Sequence, residues 1–445
     1  MRELTSHRGT KLNTPEAINE EVVKFYKALM GSSTTSLPAV DRNTMKKGPT
    51  ISYEKGVALC GSVVDEEIWK ELTSIGDDKA PGVDGYNAYF YKKTWSITKD
   101  DMLMAIKEFF QIGKLYKPVN CTVLENLCFP PKFIQWIMEC VHTVNYTIMV
   151  NGETTPPFNV ARGLRQGDSI SPYLFAISME YLSRCLAEVR DFEGFKFHPK
   201  CGRLNITHLC FADDLLLFSR GDQKSVKNIY QSFQKFSQAS GLQANMNKSS
   251  IYFGGAAVQE KLNILQQSGF GCGEFPFKYL GVPLSTKNLT IMQWLPLVNK
   301  IIGRISSWTA KKLSYGGRMQ LVQSVLFGIQ EYWSQLFTIP AKVLKLVESY
   351  CRSFTWSGSN TITKRELIAW DKVCLPKSVG GMNLINIRMW NQAAIAKTSW
   401  DLAHKSDKLW IRWIHSFYFK KLTVLHCIDS KASLIGWSRR SLMLC

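Results

Sequence analysis

Asp213 and Asp214 stand side by side between two apolar runs, Leu209-Cys210-Phe211-Ala212 and Leu215-Leu216-Leu217-Phe218. Runs of this kind predict strands at Ile206–Phe211 and Leu215–Phe218, with the acids in the turn of a hairpin. Asp-Asp is a poor two-residue turn beside Asn-Gly, which tolerates positive φ. Two unpaired carboxylates next to buried strands are also costly. An exposed tip where both acids face water is one way out. The other is a divalent cation, since hard carboxylate oxygens suit Mg2+ or Mn2+. An ion held there can activate an attacking hydroxyl and steady a leaving group.

Around that hairpin the pattern is α+β. Thr14-Pro15-Glu16 joins an N-cap hydroxyl, a first-turn proline and an early acid, and predicts a helix that Gly31 ends. Residues 31–62 are rich in Ser, Thr, Gly and Pro and read as a linker. Helices are expected at Asp65–Ile75, from a capping box at Thr98–Asp101 to near Gly113, at Pro130–Val141, from Ser171-Pro172 to Val189, and at Asp222–Ala239. Tyr146–Val150, Asn151-Gly152 and Thr154–Val160 predict a β-hairpin, and a further strand is expected near Ser249–Phe253. After Leu284 the pattern turns mainly helical. No internal repeat is visible.

The net charge of +19 over 445 residues points to a polyanionic partner. From Leu295 to Cys445 there are 22 Lys and Arg against seven Asp and Glu, with nine of the 13 tryptophans. Basic residues interleaved with aromatics suit a surface that tracks phosphates and stacks bases, although buried tryptophans and a solvated lysine face give the same composition. The 12 cysteines include no Cys-x-x-Cys pair, which argues against a disulfide scaffold and a complete zinc site; His426-Cys427 has no partner pair after it. Met1–Leu12 has no apolar signal core, and no apolar run reaches the roughly 18 residues of a membrane span. A nuclear or cytoplasmic protein with no membrane partner is expected.

Several further segments occur in order: Lys79-Ala80-Pro81-Gly82-Val83-Asp84-Gly85-Tyr86, Gly163-Leu164-Arg165-Gln166-Gly167-Asp168-Ser169-Ile170-Ser171-Pro172, Gly241 to Ser249, and Tyr279-Leu280-Gly281-Val282-Pro283-Leu284. Gly316-Gly317-Arg318 and a stretch from Trp370 to Trp400 follow. With Phe211-Ala212-Asp213-Asp214 they resemble the reverse transcriptases of non-long-terminal-repeat (LINE-type) retrotransposons, plant ones above all. The resemblance implies a right-hand polymerase fold with incomplete fingers and palm, an antiparallel sheet, a helical thumb and a mainly helical C-terminal region. It divides the chain into an N-terminal helix and linker at 1–62, fingers and palm at 63–285, a thumb at 286–360, and at 361–445 part of the region preceding the family's zinc-binding segment.

In that family Asp213 and Asp214 hold metal and catalyse, Lys248 protonates or neutralises the leaving pyrophosphate, and the substrates are an RNA template, a DNA primer and a dNTP. Lys79, Gly82 and Gly85 fall at the template. Arg165, Gln166 and Gly167 fall beside the incoming nucleotide, where glycine lets backbone approach closely and Gln166 can hydrogen-bond under a base. Ser171-Pro172 brings a helix N-terminus suited to phosphate oxygens.

One element of the pattern is missing. The chemistry calls for a further carboxylate on a strand facing the hairpin, and none of Asp84, Asp100, Asp101, Asp168, Asp191 or Asp222 sits at a strand end in the right order. Tyr116–Val123 resembles the start of the family's segment before that aspartate, and Leu124–Pro130 the stretch after it. An internal deletion near 121–128 is therefore expected, as is the lack of the family's upstream endonuclease. The resulting expectation is an inactive reverse-transcriptase-family protein. A non-catalytic nucleic-acid-binding remnant and an unstable pseudogene product are the alternatives.

Overall fold

A computed structural model describes residues 3–6, 9–30, 38–77, 86–112, 122–142, 145–146, 148–155, 158–159, 164, 168–285, 289–309, 313–363, 368–404 and 407–417. The chain divides into two compact units, residues 1–195 with 224–244, and residues 196–223 with 245–445.

The first unit opens with the antiparallel pair β1 (Leu4–Thr5) and β2 (Lys11–Leu12). Helix α1 (Pro15–Met30) starts where its cap predicts, the Ala17 N–H donating to Thr14 Oγ1 at 3.4 Å. The expected linker instead carries α2 (Arg42–Lys46) and α3 (Tyr53–Leu59). Asp41 and Ser52 cap these short helices, and Met45 is fully buried, so tertiary packing overrides a loop-like composition. Then come α4 (Asp65–Ser74), α5 (Ala88–Lys93) and α6 (Trp95–Ile112). Helix α6 begins before the expected capping box, and Thr98 donates back to the Thr94 carbonyl. Helices α7 (Thr122–Asn126) and α8 (Pro131–His142) precede two strand pairings, β3 (Asn145–Tyr146) with β6 (Phe158–Asn159) and β4 (Met149–Val150) with β5 (Glu153–Thr154). Asn151 and Gly152 both take positive φ, 53° and 95°, as their hairpin turn requires.

Helices α9 (Ser171–Glu188) and α10 (Gln223–Ser240) supply Tyr181, Leu182, Cys185, Leu186, Ile229 and Phe236 to the first unit's core. Two cations, Arg184 buried and Lys235 half-buried, tie α2 to them. Arg184 donates to Glu180 and to the carbonyls of Met45 and Pro49. Lys235 reaches Asp41 at 2.6 Å, Thr44 at 2.7 Å and Glu188 at 3.2 Å.

The second unit contains β7 (His208–Phe211), β8 (Asp214–Leu217), β9 (Ser250–Ile251), α11 (Val258–Ser268), β10 (Gly271–Cys272), β11 (Phe277–Tyr279) and β12 (Val282–Leu284). Helices α12 (Ile291–Thr309) and α13 (Tyr315–Leu321) follow. A π-helical turn at Val322–Leu326 leads into α14 (Phe327–Leu336), and then come α15 (Ala341–Ser357), α16 (Trp370–Val373), α17 (Ile387–Ala403) and α18 (Leu409–Phe417). One apolar core runs from Val282 through Trp294, Ile301, Leu326 and Phe354 to Ile387. It includes residues on both sides of 285 and of 360. Among the described residues every sheet has two strands, and β9–β10 is parallel. The other pairings are antiparallel, in keeping with the expected α+β class, and their strands are two to four residues long.

Candidate active site

The β7–β8 register is His208↔Leu217, Leu209↔Leu216, Cys210↔Leu215 and Phe211↔Asp214. The two-residue turn is therefore Ala212-Asp213, and Asp214 is the first residue of a strand. Ala212 takes φ 49°, a left-handed conformation that costs a non-glycine residue about 1 kcal/mol. Both carboxylates are exposed, and neither forms an ion pair among the described residues. Of the two arrangements open from sequence, this is the exposed tip, and its two hard anionic ligands with room for water also fit one hydrated Mg2+. They do not complete a two-ion cage. Among the described residues no group of three or more His, Cys, Asp or Glu could hold a metal.

Two neighbours shape the hairpin. Cys210 donates from Sγ to the Ala212 carbonyl at 3.2 Å. Its thiol is pushed up by burial and then by the charges of Asp213 and Asp214. Tyr279, on β11, has its phenol pushed up by burial, then by Asp214 and Cys210. β11 turns into β12 through Leu280 and Gly281, φ 48° and 82°. The β11–β12 hairpin thus brings Tyr279 into the electrostatic field of Asp214, a link that sequence reasoning missed.

The segment just before the carboxylate hairpin packs on the last two described helices. Leu204 and Ile206 pack on Leu402, Ile411, Trp413 and Ile414. Trp413 Nε1 donates to the Lys200 carbonyl at 2.7 Å. The tryptophan-rich C-terminal third signalled this contact only as composition.

Lys248 is exposed in the turn before β9, where its N–H donates to the Asn245 carbonyl at 3.0 Å. It makes no ion pair with Asp213 or Asp214 among the described residues. Asp168 sits at the start of α9: its carbonyl accepts from Ser171 N–H, and Oδ1 lies 3.5 Å from Ile170 N. The helix end expected to receive phosphate therefore already faces a carboxylate of its own chain. Lys79, Gly82, Gly85, Arg165, Gln166 and Gly167 lie outside the described residues, as does His426-Cys427. Leu124–Pro130, the stretch expected after the missing aspartate, includes the short α7 and Cys128 at φ 63°, and among the described residues no further strand pairs with β7 or β8.

Residues 107–284 match the family described as Reverse transcriptase (RNA-dependent DNA polymerase), a span that includes both hairpins. The chain is similar to the 149 kDa protein of transposon TX1 of Xenopus laevis, 23% identical over 496 residues, with 86% of this chain and 36% of that protein covered. It is also similar to the retrovirus-related Pol polyprotein from a type-2 retrotransposable element of Drosophila melanogaster, 26% identical over 34% of this chain and 15% of that protein. A third relative, the Pol polyprotein from a type-1 retrotransposable element of Popillia japonica, is 36% identical over 20% of this chain and 14% of that protein. The chain spans between 14% and 36% of the length of these relatives.

Proposed function

Because this chain is a reverse-transcriptase-family protein related to retrotransposon Pol polyproteins, we propose that it engages an RNA template and DNA primer on a right-hand polymerase scaffold whose metal cage is half built. The Asp213-Asp214 hairpin carries this reading. Its two carboxylates hold a hydrated Mg2+, and Cys210 and Tyr279 frame the site. The ion, when bound, lowers the pKa of a primer 3′ hydroxyl and offsets phosphate charge. Lys248 stands as a diffuse positive charge for pyrophosphate, and Lys79, Gly82, Gly85, Arg165, Gln166 and Gly167 as template and nucleotide contacts.

Polymerisation is absent or very slow in this reading. A cage short of one carboxylate loses on the order of a thousandfold or more in rate, since that charge steadies the ions in the transition state. The Xenopus alignment supports an internal deletion: it extends over 496 residues, although this chain has 445 in all. The matched span of that relative therefore contains residues with no counterpart here.

Mg2+-dependent extension of a DNA primer on an RNA template tests both halves. The expected result is salt-sensitive binding of template–primer with no extension above that of Asp213→Asn. Robust extension that disappears in Asp213→Asn would overturn the inactivity. No binding of RNA or DNA at low salt would overturn the scaffold reading.

A further inference from the structure

Residues 198–206 form a run of turns immediately before β7. The His198 carbonyl accepts from the Cys201 and Gly202 amides at 2.8 and 3.2 Å, and the Cys201 carbonyl from the Leu204 and Ile206 amides at 3.2 Å each. The Thr207 carbonyl then accepts from Phe218 N–H at 2.7 Å, at the far end of the carboxylate hairpin. Helix α18 meets the same turns. Trp413 Nε1 donates to the Lys200 carbonyl at 2.7 Å, and Arg203 donates to the Ser416 carbonyl and lies over the Phe417 ring.

One half-buried ring makes these turns sensitive to protons. His198 Nδ1 accepts from Lys200 N–H at 3.3 Å and lies 3.7 Å from Cys201 Sγ. A backbone amide can only donate, so Nδ1 presents its lone pair and the ring is neutral, with its proton on Nε2. A proton on Nδ1 would set N–H against N–H and place a second cation beside Lys200. Burial, and then the Lys200 charge, lower the ring's pKa from its ordinary 6.5. No carboxylate bonds to His198 among the described residues, and the nearby cations are turned elsewhere: Arg203 to Ser416, and His415 Nε2 to the Leu402 carbonyl at 2.9 Å.

We propose that His198 is a pH-sensitive latch: neutral, it closes the turns on which α18 docks ahead of the carboxylate hairpin, and protonated, it loosens them, so that α18 and the hairpin lose order together. A histidine held neutral stabilises the fold fully above its ordinary pKa, and that contribution is lost as pH falls below about 6.5 towards the folded value. The proposal rests on the reading of Asp213-Asp214 above only in making that hairpin the part regulated.

Hydrogen exchange of the full chain without metal, at about pH 7.5 and about pH 5.5 and corrected for the intrinsic pH dependence of exchange, is the test. In the parent, protection at residues 198–217 and 409–417 should fall about fivefold at the lower pH, the worth of one hydrogen bond. His198→Asn keeps a side-chain acceptor for the Lys200 amide and takes no proton in this range, so its protection should stay level. His198→Ala should show the weaker protection at both values. A parent without the step overturns the latch, as does an equal step in His198→Asn, which would assign it to another group. A step confined to 198–206, with 208–217 and 409–417 unchanged, also overturns it. Mn2+ binding is measured separately on the parent at about pH 7.5: its absence would overturn the metal reading and not the latch.

Discussion

Phe211 lies directly across the β7–β8 ladder from Asp214, so the two adjacent acids do not share one role. Asp213 projects from the turn, whereas Asp214 is held by strand pairing. Ala212 carries the strain that makes this possible. Ala212→Gly is expected to stabilise the chain by about 0.5–1 kcal/mol, and Ala212→Val to destabilise it by a similar amount or more. Urea unfolding of the two variants checks this; equal stability would remove strain from the account.

Metal affinity is expected to depend on both acids. Two carboxylates with water suit a weakly held divalent ion, and removing one charge costs roughly 1 kcal/mol or more of attraction. Mn2+ titrations followed by paramagnetic resonance should show about tenfold weaker binding in Asp213→Asn and in Asp214→Asn. Binding unchanged in both variants would place the ion elsewhere.

Acid should loosen the first unit through Asp41. The Lys235 hydrogen bond, aided by the Thr44 and Asn43 amides and opposed by burial, lowers its carboxyl from 3.8 to about 2. Glu188 is also lowered: burial opposes the shift, but bonds from Lys47, Thr44 and Lys235 outweigh it. A depressed carboxylate stabilises the fold above its ordinary pKa, and that contribution is lost as pH falls towards the folded value. Asp41 is more than a third exposed, so its share is about 1 kcal/mol after screening. Urea midpoints should fall between pH 4.5 and pH 2 and do so less steeply in Lys235→Met. That variant should also lose roughly 1 kcal/mol at neutral pH, because Glu188 keeps Lys47 and Thr44 but has one fewer partner.

Asn391 closes the end of α14 with three bonds, accepting from Ile339 N–H at 3.0 Å and donating to the Ser334 and Phe337 carbonyls at 2.7 Å each. Its side chain is 3% exposed. Asn391→Ala is expected to cost about 2–4 kcal/mol, since buried backbone groups lose their partners. Asn391→Asp should also be costly, because a carboxylate cannot donate to two carbonyls. Calorimetric melting reads both variants.

Trp413 is expected to steady the carboxylate hairpin from a distance. Trp413→Phe removes the bond to the Lys200 carbonyl and should cost about 1 kcal/mol, and Trp413→Ala about 3–5 kcal/mol through the cavity left. Hydrogen exchange should quicken at residues 208–217 in both. Unchanged protection there would show that α18 does not support the hairpin.

By itself the sequence determined the local elements and the ancestry. Thr14-Pro15-Glu16 marks the start of α1, Ser171-Pro172 marks α9, Asn151-Gly152 marks a tight hairpin, and two apolar runs bracket Asp213-Asp214. Each signal lies within a few residues of what it specifies, where capping, side-chain period and turn sterics act. The tertiary structure alone decided what depends on distant partners. Helices form in a segment with linker composition because Met45 is buried and Lys235 reaches Asp41. Asp168 sits at the start of α9, Tyr279 enters the field of Asp214, and Trp413 bonds to Lys200 in the turns that precede β7. Register placed one acid in the turn and the other in a strand. Such contacts are set by packing between segments far apart in the chain, and no local pattern of residues encodes them.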